Sequence, residues 1–153
     1  MIFIDAGSFL ARYVARDQYH HEAKAGWGEL QAFGHRCLTS NFVLDELLTL
    51  LARRTSYSFA AERARSLFTS KLLEILRPDG DDELRALGYF EKFADQRVSF
   101  TDCVSFAFMK KRRIRRVFSF DRHFALAGFE LWPQGWSTVH EPQAEYGAED
   151  DSP

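Results

Sequence analysis

The sequence predicts an α/β fold with three layers, in which helices cover both faces of a parallel sheet of about five strands. Short apolar runs rich in β-branched and aromatic residues alternate along the chain with longer segments whose apolar residues recur at helical spacing. Strands that alternate with helices form βαβ units, and such units produce a parallel sheet with helices on both faces. A chain of 153 residues is long enough to bury the core of one such domain.

The first half of the chain provides two strands and three helices. Predicted in chain order are a strand at 1–4, helices at 9–14 and 19–33, a strand at 36–39 and a helix at 41–54. The last of these helices is the strongest prediction, because Ser40 or Asn41 can cap it and leucines repeat along it.

The second half continues the alternation. Predicted here are a helix at 59–69, a strand at 72–76, a helix that follows the acids at 79–82 and runs to 93, a helix that begins near 99, and strands at 117–120 and 129–132. Ser99 and Asp102 form an S-x-x-D pattern in front of an apolar run, which is typical of a helix start.

Composition narrows the class of protein. Hydrophobic residues make up 46% of the chain, and no apolar run reaches the ~18 residues of a membrane-spanning helix. The start MIFIDAG has no basic segment, which argues against a signal peptide, so we expect a cytoplasmic protein without membrane association. Cys37 and Cys103 suit buried, reduced thiols. We predict one domain over 1–136 and an acidic, flexible tail over 137–153.

Three acids are predicted to meet at one edge of the sheet. Asp5 follows the first strand, Asp121 follows the fourth, and Asp102 begins the helix that leads into the fourth strand. Functional groups in open parallel sheets collect just beyond the carboxyl ends of the strands. The helix at 41–54 offers a fourth acid: Glu46 lies nearer its apolar face than Asp45, which remains the alternative.

Four clustered carboxylates indicate a metal site, because their mutual repulsion raises their pKa values unless a cation compensates. Oxygen ligands suit Mg²⁺ or Mn²⁺, whereas zinc favours histidine or cysteine. The matching chemistry is phosphodiester hydrolysis, in which the ion lowers the pKa of an attacking water and stabilises the leaving oxygen. His123 lies two residues beyond Asp121, and we expect it to make a structural hydrogen bond rather than to transfer a proton.

A basic run covers residues 110–116, where six of seven side chains are cationic. Such a run is typical of a solvated helix end, where cations face unpaired carbonyls. The alternative is contact of Lys110, Lys111, Arg112 and Arg113 with RNA phosphates, which would give salt-dependent affinity without sequence preference. The net charge of −2 does not by itself indicate a nucleic-acid-binding protein.

Four motifs in order resemble the PIN domain, in particular its VapC-type toxin ribonucleases. They are Ile4-Asp5-Ala6-Gly7-Ser8 after the first strand, Asp45-Glu46-Leu47 in a leucine-rich helix, Ser99-Phe100-Thr101-Asp102 before an apolar helix, and Ser119-Phe120-Asp121-Arg122-His123-Phe124 after a strand. The resemblance extends from Met1 to about Pro133.

The resemblance implies a PIN-like fold and an endoribonuclease that depends on Mg²⁺ or Mn²⁺. The quartet of acids would be Asp5, Glu46, Asp102 and Asp121, with Ser8, Thr101 and Ser119 supporting them through hydrogen bonds. It also implies a homodimer and a cognate antitoxin protein, whose contact surface would include Phe9, Leu10 and Tyr13. Some PIN proteins carry a further acid where this chain has His123, so the number of metal ions stays open.

Three other functions are alternatives to a toxin ribonuclease. A PIN-domain nuclease of RNA processing or quality control would have the same chemistry, and the sequence does not separate it from a toxin. A catalytically silent PIN-like binding module is disfavoured because all four acids are present. An aspartyl-phosphate phosphatase would need a second acid where Gly7 stands.

Overall fold

A five-stranded parallel sheet lies at the centre of the computed structural model, which describes residues 1–133. The predicted boundary at residue 136 and the predicted tail over 137–153 lie outside the described residues. The strands are β1 (Ile2–Ile4), β2 (Cys37–Ser40), β3 (Leu73–Leu76), β4 (Arg116–Phe118) and β5 (Glu130–Trp132). The helices are α1 (Ala6–Tyr13), α2 (His20–Phe33), α3 (Asn41–Arg54), α4 (Tyr57–Phe68), α5 (Gly80–Lys92), α6 (Phe100–Lys111) and α7 (His123–Leu126), with a 3₁₀ turn at Ala94–Gln96. The predicted α/β fold is confirmed.

The strand order has a topological switch point beside the central strand β1. The order is β3-β2-β1-β4-β5, and every neighbouring pair is parallel. The chain leaves β1 toward β2 on one side and later returns to β4 on the other side. Ligands of open α/β sheets bind at such a point, outside the carboxyl ends of the strands. Asp5 and Asp121 follow the two strands that flank it.

The core is built from the central strands and the helix α6. Ile2, Phe3 and Ile4 of β1 are completely buried, which is expected of a central parallel strand with helices on both faces. Helix α6 is buried from Asp102 to Met109. An almost continuous apolar sequence of this kind fits a helix that is covered on most of its sides.

Helix α2 approaches the sheet closely at a glycine. A Cβ atom at Gly26 would lie 2.6 Å from the Cζ atom of Phe118 in β4. The indole of Trp27 also packs on Phe118 and on Phe9 of α1. Gly26 weakens the helical pattern of the sequence, but at this position the absence of a side chain permits the packing of α2 on β4.

The predicted elements agree with the structure except at three places: α1 begins at Ala6 rather than at 9, the 3₁₀ turn at Ala94–Gln96 was not predicted, and the chain differs near the fourth strand. Strand β4 ends at Phe118 rather than at 120, because Ser119 bends the chain by accepting a hydrogen bond from the Asp121 amide at 3.0 Å. The one-turn helix α7 was not predicted. The basic run is helical only to Lys111, and Arg113 adopts a left-handed conformation with φ of 55°.

Two remaining expectations concern membrane helices and cysteines. Within residues 1–133, no helix combines the length and the apolar character that crossing a membrane requires.

Cys37 is half-buried and Cys103 is buried, and both are free thiols. Burial raises the pKa of Cys103 to about 11, with the charge of Asp102 adding to the effect. These properties agree with the predicted reduced, buried thiols.

Candidate active site

Asp5 sits between the end of β1 and the start of α1. Its amide donates a hydrogen bond to the Phe118 carbonyl at 3.1 Å, which joins the ends of β1 and β4. Although Asp5 occupies the N-cap position of α1, its carboxylate makes no capping bond. The carboxylate Oδ2 instead accepts a hydrogen bond from the Ser119 hydroxyl at 2.8 Å. The side chain is therefore available to the site and has no role as a cap.

Asp102 lies in the first turn of α6, and its carboxylate does not cap the helix either. The Ser99 hydroxyl caps this helix by accepting a hydrogen bond from the Asp102 amide at 3.1 Å. Asp102 is only 6% exposed, as is Asp5. A buried carboxylate that is not a cap and has no lysine or arginine partner within residues 1–133 is costly, so it indicates a functional group.

Asp121 lies in a short turn that holds its carboxylate beside a histidine. Its Oδ1 atom accepts a hydrogen bond from the His123 amide at 2.9 Å and lies 3.2 Å from the Nδ1 atom of His123. The same Nδ1 atom is 3.9 Å from the Oδ2 atom of Asp102. One ligand atom from each of these three residues falls within 4.8 Å of the others, a spacing that would accommodate a metal ion.

Glu46 provides the fourth carboxylate from α3, while the charge of Asp45 acts on Glu46 and is not among the causes of the raised pKa values of Asp5 and Asp102. The Ser40 hydroxyl fixes the start of α3 by accepting a hydrogen bond from the Val43 amide at 3.1 Å. Glu46 is half-buried and its charge acts on both Asp5 and Asp102. Asp45 is exposed.

Burial and mutual repulsion raise the pKa values of three of the acids. Burial is the largest cause in each case and neighbouring carboxylates add to it, while the hydrogen bond from Ser119 acts in the opposite direction on the pKa of Asp5. The pKa of Asp102 rises to about 9 and that of Asp5 to about 7. The pKa of Glu46 also rises, and the charge of Asp121 contributes to that increase after burial. Without a compensating cation, the cluster therefore retains protons at neutral pH.

A metal ion fits this set of donors. Within residues 1–133, no lysine or arginine forms an ion pair with any of the four acids. The Ser119 hydroxyl is a neutral donor, which leaves most carboxylate lone pairs unused. A bound cation would offset the repulsion and release the protons, as metal binding by carboxylates requires.

The predicted supporting hydroxyls differ in what they contact. Ser119 bonds the Asp5 carboxylate directly. Ser8 is buried and donates to the Asp5 and Phe118 carbonyls at 2.8 and 2.9 Å, so it fixes the backbone and not a carboxylate. Thr101 is half-buried, and in the described part of the chain its hydroxyl bonds none of the four acids.

The predicted basic run lies at the other end of α6. Lys110 and Lys111 come eight and nine residues after Asp102, about 12 to 14 Å along the helix axis. Arg112 pairs with Glu74 at 3.1 Å. The run is therefore remote from the four acids, because the C-terminus of α6 returns to the amino-terminal edge of the sheet. Its contact with a more distant part of an RNA stays a prediction.

The predicted antitoxin surface on α1 is wrong for two of its three residues. Phe9 and Leu10 are buried, because α1 packs against both α2 and α3. Tyr13 is half-buried, and the guanidinium groups of Arg12 and Arg63 both lie 5.9 Å from its ring. Helical spacing identified the apolar face of α1 but did not show that neighbouring helices cover it.

Comparison with known proteins gives consistent matches. The family model of the PIN domain matches residues 2–130. The chain is 34% identical over 135 residues to the 23S rRNA-specific endonuclease VapC20 of Mycobacterium tuberculosis, covering 88% of this chain and 100% of that protein. It is 28% identical over 141 residues to a VapC ribonuclease of Archaeoglobus fulgidus, covering 84% of this chain and 83% of that protein.

A solved structure matches the fold as well. The crystal structure of Mycobacterium tuberculosis VapC20, described as a sarcin-ricin loop cleaving toxin, superposes with a TM-score of 0.76 at 33% sequence identity. The match covers 85% of this chain and 97% of that one. The resemblance to VapC-type PIN domains is therefore confirmed in sequence and in structure. The chain belongs to the PIN domain family.

Proposed function

We propose that this protein is a metal-dependent endoribonuclease of the VapC type, which hydrolyses RNA phosphodiester bonds at the site formed by Asp5, Glu46, Asp102 and Asp121. The observation that carries the proposal is the convergence of these four acids without a lysine or arginine partner in the described residues. A structural ion-pair network would place cations beside them. Such repulsion without compensation is expected of a site that binds a cation from solution.

Each acid has a role that follows from its burial. Asp102 and Asp121 bring ligand atoms within 4.8 Å of each other and would hold the ion, and the buried Asp5 would bind it directly or through water. Asp121 is positioned by the His123 amide, and His123 itself offers a nitrogen ligand or a hydrogen bond to the same ion shell. Glu46, which is half-buried, would face the substrate side.

The ion we propose is Mg²⁺ or Mn²⁺. Carboxylate oxygens are the preferred ligands of both, and Mn²⁺ also accepts an imidazole such as that of His123. When bound, such an ion lowers the pKa of an attacking water and neutralises charge on the phosphate and the leaving oxygen. Ser119 keeps the Asp5 carboxylate in place through its 2.8 Å hydrogen bond, so the ligands are positioned before the ion arrives.

The RNA substrate we propose is 23S ribosomal RNA, and the partner is a cognate antitoxin. Support comes from the VapC20 relatives, which are named as 23S rRNA-specific endonucleases and align over their whole length. A small upstream reading frame that encodes a DNA-binding protein would favour the toxin over a processing nuclease. A homodimer and a cytoplasmic location stay predictions.

The test is cleavage of purified 23S rRNA by the full chain in Mg²⁺ or Mn²⁺. We expect cleavage at defined positions, its loss in EDTA, and its loss in Asp5→Asn and Asp102→Asn. The matched control is Asp45→Asn, an exposed acid next to the site that should leave cleavage unchanged. Cleavage by both site variants at the wild-type rate would remove the proposed site. Absence of cleavage of any RNA by the wild-type protein would remove the proposed activity.

A further inference from the structure

A second concave site lies between α5 and α6, away from the four acids. It is a cavity of about 260 Å³, just below the roughly 300 Å³ at which sites for drug-sized ligands begin. Four cationic side chains line it: Arg85, Lys92, Lys110 and Lys111. Arg85 and Lys92 are seven residues apart on α5, so they lie on the same side of that helix, two turns apart.

Most of this positive charge is not compensated by the protein. Lys111 pairs with Asp82 at 2.9 Å and with Asp79 at 4.0 Å. Arg85, Lys92 and Lys110 form no ion pair within residues 1–133, and all three are exposed. Like charges that converge around a concave surface repel each other and attract anions, because the cavity focuses their field.

The floor of the cavity is uncharged and includes an aromatic ring. It is formed by Gly88, Tyr89 and Ala107. Tyr89 is held in place by a parallel contact with Phe93 and an edge contact with Phe106. An apolar floor with a cationic rim matches a nucleotide, whose base stacks on aromatic and aliphatic groups while its phosphate meets the cations.

We propose that this cavity binds one nucleotide of the RNA substrate at a distance from the bond that is cut. The inference rests on the proposed function. Ala107 to Lys111 lie five to nine residues after Asp102 on the same helix, about 8 to 14 Å along its axis. An RNA strand must pass around the buried helix, so this axial distance is a minimum, and with one phosphate per ~3.4 Å of a helical strand the bound nucleotide lies at least about two positions from the scissile phosphate.

The proposal changes the predicted RNA contacts in a specific way. It keeps Lys110 and Lys111, drops Arg112, which pairs with Glu74, and drops Arg113, which lies beyond the cavity. Arg85 and Lys92 replace them. The sequence did not reveal these two, because they join the basic run only through the packing of α5 against α6.

The first test compares RNA binding by two triple variants in an Asp102→Asn background that prevents cleavage. The probe is an RNA oligonucleotide that spans the strongest 23S rRNA cleavage site mapped with the wild-type protein. The test variant is Arg85→Ala/Lys92→Ala/Lys110→Ala. The matched control, Lys24→Ala/Arg53→Ala/Lys71→Ala, removes the same charge from exposed cations that form no ion pair in the described part of the chain.

Counterion release sets the expected size of the effect. Each lost phosphate contact reduces the slope of log K against log salt by about 0.7 for single-stranded nucleic acid. One nucleotide brings its 5′ and 3′ phosphates to the cations, so the test variant should lose about 1.4 from this slope and bind about 15-fold more weakly at 0.15 M salt, since each contact contributes about fourfold relative to 1 M salt. The control variant should retain the parent slope and bind within about threefold of the parent.

A second test fills the cavity without changing its charge. A Cβ atom at Gly88 meets no atom within 4 Å, so Gly88→Ala is accommodated by the fold, and Gly88→Phe adds a ring at a residue that lines the cavity. Gly88→Phe should weaken binding of the same RNA at least tenfold, while Gly88→Ala should bind like the parent. Thermal unfolding confirms that each variant is folded.

The outcomes separate this inference from the proposed function. If the wild-type protein cleaves 23S rRNA, but the test triple variant and Gly88→Phe bind like their controls, the cavity proposal alone is overturned. Equal weakening by both triple variants would also overturn it, because the effect would then come from net charge. Weaker RNA binding by the test triple variant and by Gly88→Phe, with unchanged binding by both control variants, supports the cavity proposal.

Discussion

Replacing Asp102 by asparagine should stabilise the metal-free protein while it abolishes cleavage. The Asp102 carboxyl is buried beside three other acids, and its pKa is raised from 3.8 to about 9. In the unfolded chain the group ionises near pH 4, so at pH 7 folding must return a proton to it. Between these pKa values the unfolded state binds fewer protons than the folded state, and stability falls as pH rises.

The size of the effect follows from this linkage. At pH 7 the interval above the unfolded pKa of 3.8 sets an upper limit of about 4 kcal/mol on the penalty, at about 1.4 kcal/mol per pKa unit. Since water and structural relaxation reduce such penalties, we expect a gain of about 1 to 4 kcal/mol for Asp102→Asn in EDTA. In a protein of this size each kcal/mol raises the melting temperature by about 2 to 4 °C.

The assay is urea and thermal unfolding in EDTA from pH 3.5 to pH 8. The gain should increase with pH across this range and be largest at pH 8, and it should shrink as pH falls below about 4, where the wild-type group becomes protonated in both states. Glu29→Gln, an exposed acid on α2, is the control and should change stability by less than about 0.5 kcal/mol. Added Mn²⁺ should stabilise the wild type more than the variant. A variant that is less stable than the wild type in EDTA at pH 7 would refute this account of the site.

Three further predictions concern other residues of the site and core. Ser119→Ala removes the hydrogen bond to the Asp5 carboxylate, so the Mn²⁺ affinity measured by calorimetry should fall about 10-fold or more. An unchanged Mn²⁺ affinity would contradict the supporting role of Ser119. Glu46→Gln should lower the rate of RNA cleavage at saturating metal while Asp45→Asn does not, and equal effects in a gel assay would count against the assignment of Glu46. Gly26→Ala should destabilise the fold by about 1 to 3 kcal/mol in urea unfolding, because its methyl group would overlap an aromatic ring of β4, and a neutral result would show that α2 shifts freely.

Much of the architecture could be predicted because local patterns and global topology agree. The alternation of strands and helices implied the parallel sheet, and the parallel sheet brought the carboxyl ends of β1 and β4 to one edge. This rule placed Asp5 and Asp121 together, although 115 positions separate them in the sequence. The position of Glu46 near the apolar face of α3 likewise pointed it toward neighbouring elements.

Some residues have a burial or contacts that the sequence did not predict, because these depend on information that local patterns do not contain. Phe9 and Leu10 showed helical spacing, but their burial depends on how many helices cover α1. Arg85 and Lys92 meet Lys110 only because α5 packs on α6. The end of β4 depends on a single hydrogen bond that the Ser119 hydroxyl accepts from the Asp121 amide, and strand propensity does not register such a bond.

The central claim is that a divalent cation holds these acids together in the folded protein. The most direct measurement is the anomalous scattering of crystals grown with Mn²⁺ at a concentration that supports RNA cleavage. We predict a Mn²⁺ peak within coordination distance of Asp102 and Asp121, with Asp5 and Glu46 bound to it directly or through water. A fully occupied Mn²⁺ peak elsewhere, or none beside these four side chains, would contradict the account.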